Sequence, residues 1–359
     1  MRRFRLVDKL EEGHCLTEAE WVELIEGRTP QVSAYLRNRA CAVRDAVYGR
    51  KVFMRGLIEL SNHCRNDCFY CGIRCSNRSV ERYRLDEDEV IRCCEAGYGS
   101  GFRTFVLQGG EDPYFTDERL VPLVGAIHRR FPDCAITLSL GERSGESYRA
   151  LFDAGAGRYL LRHETADPAH YALLHPRKMN LAARKDCLLA LKEIGYQVGS
   201  GFMVGSPGQR AVHLARDMGF LRQLQPHMVC IGPFIPHRQT RFAGAQQGSL
   251  ELTLFMLACI RLAHPRALIP ATTALGTIDP DGRELGVLSG ANVVMPNLSP
   301  VERRRSYDLY DGKACFGAEA VEGVADLRVR IGEIGYELVA DRGDSLVPCA
   351  AGSGSRLAG

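Results

Sequence analysis

The chain has 359 residues, of which 45% are hydrophobic and 25% charged, and a net charge of +3. This describes a soluble, globular polypeptide long enough for one α/β barrel with extensions or for two ordinary domains. No run of about 18 apolar residues occurs, so no transmembrane helix is predicted, and so small a net charge does not point to nucleic acid. The first eight residues are basic but lack an apolar h-region, so they do not read as a secretory signal. Asp8, Glu11 and Glu12 argue against a transit peptide, and a cytoplasmic location is expected. Most of the fourteen cysteines stand singly in apolar stretches, as Cys134, Cys230 and Cys259 do. A reducing compartment with one metal site accounts for them better than disulfides.

Residues 16–48 read as helical, with Thr17 and Glu20 spaced for a capping box. Residues 1–50 are therefore expected to form an N-terminal helical extension. From Lys51 onward short apolar runs alternate with amphipathic segments. Strands are expected at 56–61, 103–108, 135–140, 158–163, 198–204, 228–232, 268–274 and 292–296. Helices are expected between them at 86–97, 118–131, 145–154, 181–194, 209–223 and 250–263, with a weaker one at 283–288. This alternation predicts parallel βαβ units over 51–300, either as a (β/α)₈ barrel or as an open doubly wound sheet. Polar residues follow each apolar run, among them Ser61, Gln108, Ser139, His163, Ser206, Thr272 and Asn297. In a barrel such ends converge on one mouth, which favours the barrel. Residues 301–359 are expected to cap it and to end in a flexible tail at 350–355.

After the first strand come Cys64, Cys68 and Cys71, spaced Cys-x₃-Cys-x₂-Cys, with the aromatic Tyr70 before the last. Three thiolates hold a [4Fe–4S] cube and leave one iron free for a small molecule. A zinc site, or a cluster completed by Cys75 or His63, is the alternative. Gln108, Gly109, Gly110 and Glu111 follow the second strand, either as a loop whose backbone approaches a ligand closely or as an ordinary β–α turn. In the fourth strand, alternation sends Arg158, Leu160 and Arg162 to one face. Two inward arginines call either for anionic ligands or for internal salt bridges to Glu59 or Glu164. Arg184, near the start of a helix, reads as a carboxylate anchor or as a solvated charge. His163 and His237 read as hydrogen-bonded structural residues.

The cysteine spacing is the signature of the radical S-adenosylmethionine (SAM) superfamily. More specifically the chain resembles the HydE family of [FeFe]-hydrogenase maturases. The strings that carry this resemblance begin at Ile58, Tyr83, Val106, Thr137, Arg158, Ile231, Ile269 and Gly290. The resemblance implies a radical SAM barrel, one three-cysteine [4Fe–4S] cluster, and reductive cleavage of SAM to a 5′-deoxyadenosyl radical. It implies SAM contacts at Tyr70, Gln108, Gly109, Gly110, Ser139, Glu164 and Arg184. Arg55, Thr137, Arg158, Arg162, Thr272, Thr273 and Tyr307 match positions lining the cavity and its anion sites. The implied substrate is an iron–cysteine complex with carbonyl and cyanide ligands, attacked at sulfur. The implied partners are the maturases HydG and HydF, transiently, and a reductant such as ferredoxin or flavodoxin. No nucleic-acid or membrane partner is implied, and a monomer is expected. Some family members carry a second cluster on three C-terminal cysteines. Here Cys315 is followed by Gly323 and Asp326 at the other two positions, so a single cluster is expected. Methylornithine synthase and biotin synthase are the rival enzymes, the latter poorly matched because Cys134 and Cys230 do not reproduce its extra cluster ligands. A scaffold that only carries a cluster would not need the glycine-rich segments.

Overall fold

The computed structural model describes residues 1–314 and 321–348. Cys315 and the expected flexible tail at 350–355 lie outside the described residues.

Three helices precede the first strand: α1 (Arg2–Gly13), α2 (Glu18–Glu26) and α3 (Pro30–Tyr48). The capping box forms: Thr17 Oγ1 accepts the Glu20 N–H, and Glu20 Oε2 accepts the Thr17 N–H at 2.9 Å. Helix α1 lies outside the expected 16–48 region. It has no acidic residue in its first turn and no side-chain cap, so tertiary burial of Leu6, Val7 and Leu10 holds it.

The chain then alternates strand and helix. β1 (Lys51–Met54) and β2 (Gly56–Ser61) are separated only by Arg55. They are followed by α4 (Glu87–Gly99), β3 (Thr104–Gly109), α5 (Asp117–Arg130), β4 (Ala135–Ser139), α6 (Gly145–Asp153) and β5 (Arg158–Leu160). Next come α7 (Pro168–Leu174), α8 (Leu181–Ile194), β6 (Gln197–Ser200), β7 (Met203–Val204), α9 (Ala211–Leu224), β8 (Met228–Val229) and β9 (Gly232–Pro233). The described barrel ends with α10 (Leu250–Ala263), α11 (Thr273–Ile278), α12 (Gly282–Val287) and β10 (Val293–Val294). Beyond it lie α13 (Val301–Arg304), α14 (Val324–Glu333) and β11 (Glu337–Val339).

Strands β2, β3, β4, β5, β6 and β8 pair in parallel in that order. Parallel bridges Met228–Leu268, Pro270–Val293 and Leu57–Asn297 carry the ladder through two more chain paths and back to β2. The sheet thus closes into the barrel rather than opening as a doubly wound sheet. The expected strand at 268–274 is reduced to two bridges. Pro270 offers no N–H to the ladder, and α11 already begins at Thr273. The expected strand at 198–204 breaks in two at Gly201, where a Cβ would stand 1.8 Å from the Cys230 carbonyl oxygen.

Helix α10 is buried from Thr253 to Leu262 because α1 and α3 cover the side turned away from the barrel. At the other end of the chain, β11 pairs with β1 in parallel. The segment after it crosses the closed end of the barrel, where the Arg342 carbonyl accepts from Thr104 Oγ1 at 2.8 Å. Among the described residues no helix is long and apolar enough to cross a membrane.

Candidate active site

The loop from Asn62 to Arg84 leaves β2 at the barrel mouth, and side chains rather than regular structure give it shape. Asn62 Nδ2 donates to the Glu81 and Ser306 carbonyls at 2.7 and 2.6 Å, and its Oδ1 accepts the Tyr83 N–H at 2.8 Å. The Arg82 guanidinium donates to the carbonyls of Asn62, Ile73, Arg74 and Asn77, satisfying groups that a helix would otherwise pair.

Cys64, Cys68 and Cys71 are free thiols on the wall of one cavity of about 330 Å³. Gly110 packs against this loop so closely that a Cβ would sit 2.1 Å from the His63 carbonyl oxygen and 2.8 Å from Cys64 Cβ. The glycine of the second-strand loop therefore lets its backbone meet the first cysteine. Burial pushes all three thiols up, Cys71 to about 12. Metal binding would displace their protons, and a soft, thiol-only donor set suits iron. These residues fit a three-cysteine [4Fe–4S] cluster.

Asp112, next to Glu111, ties the glycine loop to β2. It accepts from Ser61 Oγ at 2.7 Å and from Arg84 Nε and Nη2 at 2.7 and 3.0 Å. Across the cavity, Arg184 is not a solvated charge. Its Nε donates to the Arg162 carbonyl at 2.6 Å and its Nη1 to Glu142 at 2.8 Å, with Glu111 at 3.5 Å. Burial works against its charge, but Glu111, Tyr171 and Glu142 outweigh burial and hold its pKa above the ordinary arginine value.

Glu164 stands in the left-handed region at φ 65°, a conformation that costs a non-glycine residue about 1–3 kcal/mol. Its Oε2 is 3.0 Å from Arg162 Nη2, yet the two groups are misaligned. Neither atom has a hydrogen-bond partner, nor does Arg162 Nε, so buried polar atoms face the cavity with capacity to spare. Tyr70, Gln108, Gly109, Ser139, Thr272, Thr273 and Tyr307 also line this cavity. The Tyr70 hydroxyl lies 3.2 Å from His175 Nε2, and Tyr307 Oη accepts from Gln108 Nε2 at 3.4 Å.

The structure separates Arg55, Thr137 and Arg158 from this group. They line a void of about 10 Å³ at the closed end of the barrel. Arg158 faces inward, but its charge is met by Asp344 at 2.6 Å, not by Glu59 or Glu164 and not across the same space as Arg162. The C-terminal segment reaches the barrel base and supplies that acid. Arg55 is buried with Nε and Nη2 unpartnered, and burial and Arg158 together push its pKa down to about 9.

Lys313 escaped the sequence reading, and Glu59 entered it only as a possible partner for the strand arginines. Lys313 pairs with the fully buried Glu59 at 2.5 Å and donates to the Tyr307 carbonyl at 3.0 Å, drawing the post-barrel segment over the cavity. An acid inside the apolar run Leu57–Leu60 was the available signal. His237 is hydrogen-bonded: Nε2 lies 3.0 Å from Asp308, and Nδ1 accepts the Gln239 N–H at 3.1 Å. Asp311 completes a potential His–Asp–Asp metal set among the described residues, but Arg238 pairs with Asp311 at 2.6 Å and lies 3.6 Å from Asp308, neutralising it.

A closed parallel barrel with three thiols on the loop after its first full strand defines a radical SAM enzyme, and residues 58–221 match the radical SAM superfamily. The chain is 45% identical to the [FeFe] hydrogenase maturase subunit HydE of Thermotoga maritima, covering 76% of this chain and 78% of that one. It is 30% identical to 3-methylornithine synthase of Methanosarcina barkeri, covering 85% and 86% of the two chains. The crystal structure of methylornithine synthase superposes with a TM-score of 0.80 at 26% identity, covering 93% of this chain and 97% of that one. The chain belongs to the HydE family of radical SAM enzymes.

Proposed function

We propose that this enzyme binds one [4Fe–4S] cluster on Cys64, Cys68 and Cys71, cleaves SAM reductively, and acts on a sulfur of an iron–cysteine carbonyl and cyanide precursor during hydrogenase maturation. The observation that carries this reading is the convergence of the three thiols, the Gln108–Gly110 loop and the Arg162, Glu164 and Arg184 side chains on one cavity. When bound, the cluster supplies the electron that breaks the sulfonium C–S bond.

The protein's own residues bind and orient. The Gln108, Gly109 and Gly110 backbone would receive the SAM amino group, and the Arg184 guanidinium would take its carboxylate. Glu164, Ser139 and Tyr70 complete the SAM contacts. Arg162, Thr272, Thr273 and Tyr307 hold the substrate deeper in the barrel, whereas Arg55, Thr137 and Arg158 pack its closed end. The substrate comes from HydG, with HydF as a further transient partner and ferredoxin or flavodoxin as reductant. The enzyme works as a cytoplasmic monomer. A second reading, methylornithine synthesis, rests on the methylornithine synthase likeness and on a cavity arginine that suits an amino acid. Anaerobic hydrogenase maturation with this protein replacing HydE tests the proposal. Active hydrogenase is the expected result, whereas methylornithine formation without maturation selects the second reading.

A further inference from the structure

Behind the Arg162–Glu164 turn, away from the cavity, His163, Ser200 and Asp217 are sealed in the barrel wall with no exposed surface. His163 Nδ1 lies 2.9 Å from Ser200 Oγ, and Ser200 Oγ donates to the Leu161 carbonyl at 3.0 Å. Since the hydroxyl proton is committed, Nδ1–H donates to Ser200. Burial raises the Asp217 pKa and lowers that of His163, so the carboxyl carries the shared proton and Asp217 Oδ1 donates to His163 Nε2 at 3.3 Å while accepting the Ala166 N–H at 2.5 Å. Phe202 and Phe220 flank the imidazole with ring centroids at 5.9 and 4.9 Å. No substrate reaches this Ser–His–Asp set, so it is not a nucleophilic triad.

Its geometry instead grips both sides of one residue. The network takes hold of the His163 side chain before Glu164 and the Ala166 N–H after it. In between, the Glu164 N–H donates to the Gly201 carbonyl at 3.1 Å and the Thr165 N–H to the His163 carbonyl at 2.8 Å. A left-handed glutamate persists only where its surroundings over-determine it. Asp217 comes from α9, which adds no residue to the cavity wall. We propose that His163 and Asp217 are positioning residues for SAM: they lock the turn that aims Glu164 into the cavity. The proposal rests on the reading of Glu164 as a SAM contact.

The test uses cluster-loaded wild-type, Glu164→Ala, Asp217→Leu and Asp217→Asn proteins. KM for SAM and kcat for 5′-deoxyadenosine formation are measured, with iron content and the EPR signal of the reduced cluster with and without SAM. Asp217→Leu removes the acceptor and is expected to raise KM about tenfold while iron content and the SAM-free signal stay unchanged. Asp217→Asn keeps an acceptor oxygen for Ala166 and is expected to stay within about threefold of wild type. The Glu164→Ala, Asp217→Leu double variant is expected to be no worse than Glu164→Ala alone. If Asp217→Leu does not fold, Ser200→Ala reads the same network with one hydroxyl removed and is expected to raise KM in the same direction. A raised KM in Glu164→Ala with wild-type KM in the network variants overturns the proposal. An unchanged KM in Glu164→Ala overturns the Glu164 reading itself, and the proposal with it.

Discussion

Arg158 Nη2 donates to Asp344 Oδ1 at 2.6 Å, so a buried guanidinium of β5 is neutralised by an acid 186 residues further along the chain. The Arg342 carbonyl takes a second bond from the same nitrogen at 3.0 Å. The tail after β11 thereby closes the barrel base. Asp344→Ala leaves a buried cation with reduced compensation and is expected to lower unfolding free energy by about 1–3 kcal/mol. This is less than for a fully enclosed pair, because Asp344 is half exposed. Urea unfolding measures it, and an Arg158→Met, Asp344→Leu double variant is expected to recover part of the loss. A double variant as unstable as the sum of the singles would contradict the pairing.

The Asp112 network gives a pH dependence. Burial pushes its carboxyl up, but Arg84, Ser61 and the Tyr114 N–H outweigh burial and hold it below the usual carboxylate range. A depressed carboxyl pKa adds stability above the unfolded value of about 3.9, and that stability is lost as pH falls through the folded value. Cluster-free wild-type protein is expected to exceed Asp112→Asn by about 1–2 kcal/mol at pH 7, with the gap closing below about pH 4. Urea midpoints at both pH values measure it, and a gap that widens in acid would refute it.

The thiols give a third expectation. Reconstituted protein is expected to hold about four irons per chain, and Cys64→Ala, Cys68→Ala or Cys71→Ala to abolish 5′-deoxyadenosine formation. On the single-cluster reading the triple variant is expected to retain almost no iron, Cys315 having no partner thiols near it in sequence. Mössbauer spectra showing a stoichiometric cluster in the triple variant would reject the single-cluster reading.

Arg162→Lys keeps a charge in the cavity wall but loses the planar fork. Maturation activity is expected to fall further than uncoupled SAM cleavage on the same preparation. Equal losses in the two assays would place Arg162 in the SAM site or in the fold instead.

Much of the barrel was legible in the linear pattern, because each βα unit carries its own periodicity and its polar strand end. The cysteine loop and the glycine loop were legible for a related reason: chemistry confined to a few neighbouring residues leaves its spacing in the sequence. Helix α1 was legible only as part of the helical extension at 1–50, since no cap announces its bounds. Helix α7 fell outside the expected elements, although Asp167, whose side chain accepts the His170 N–H, and Pro168 at the first turn mark its start.

By itself the sequence determined the parallel βα alternation that favours a barrel, the three thiols after its first strand and an inward arginine in the fourth expected strand. All of these follow from side-chain alternation and short-range spacing. Only the tertiary structure decided which buried charged or polar groups meet. Arg158 answers to Asp344, Glu59 to Lys313 and His163 to Asp217, pairs separated by 186, 254 and 54 residues. A buried charge takes its partner from whatever element the closed barrel brings within reach, and no local period records that choice.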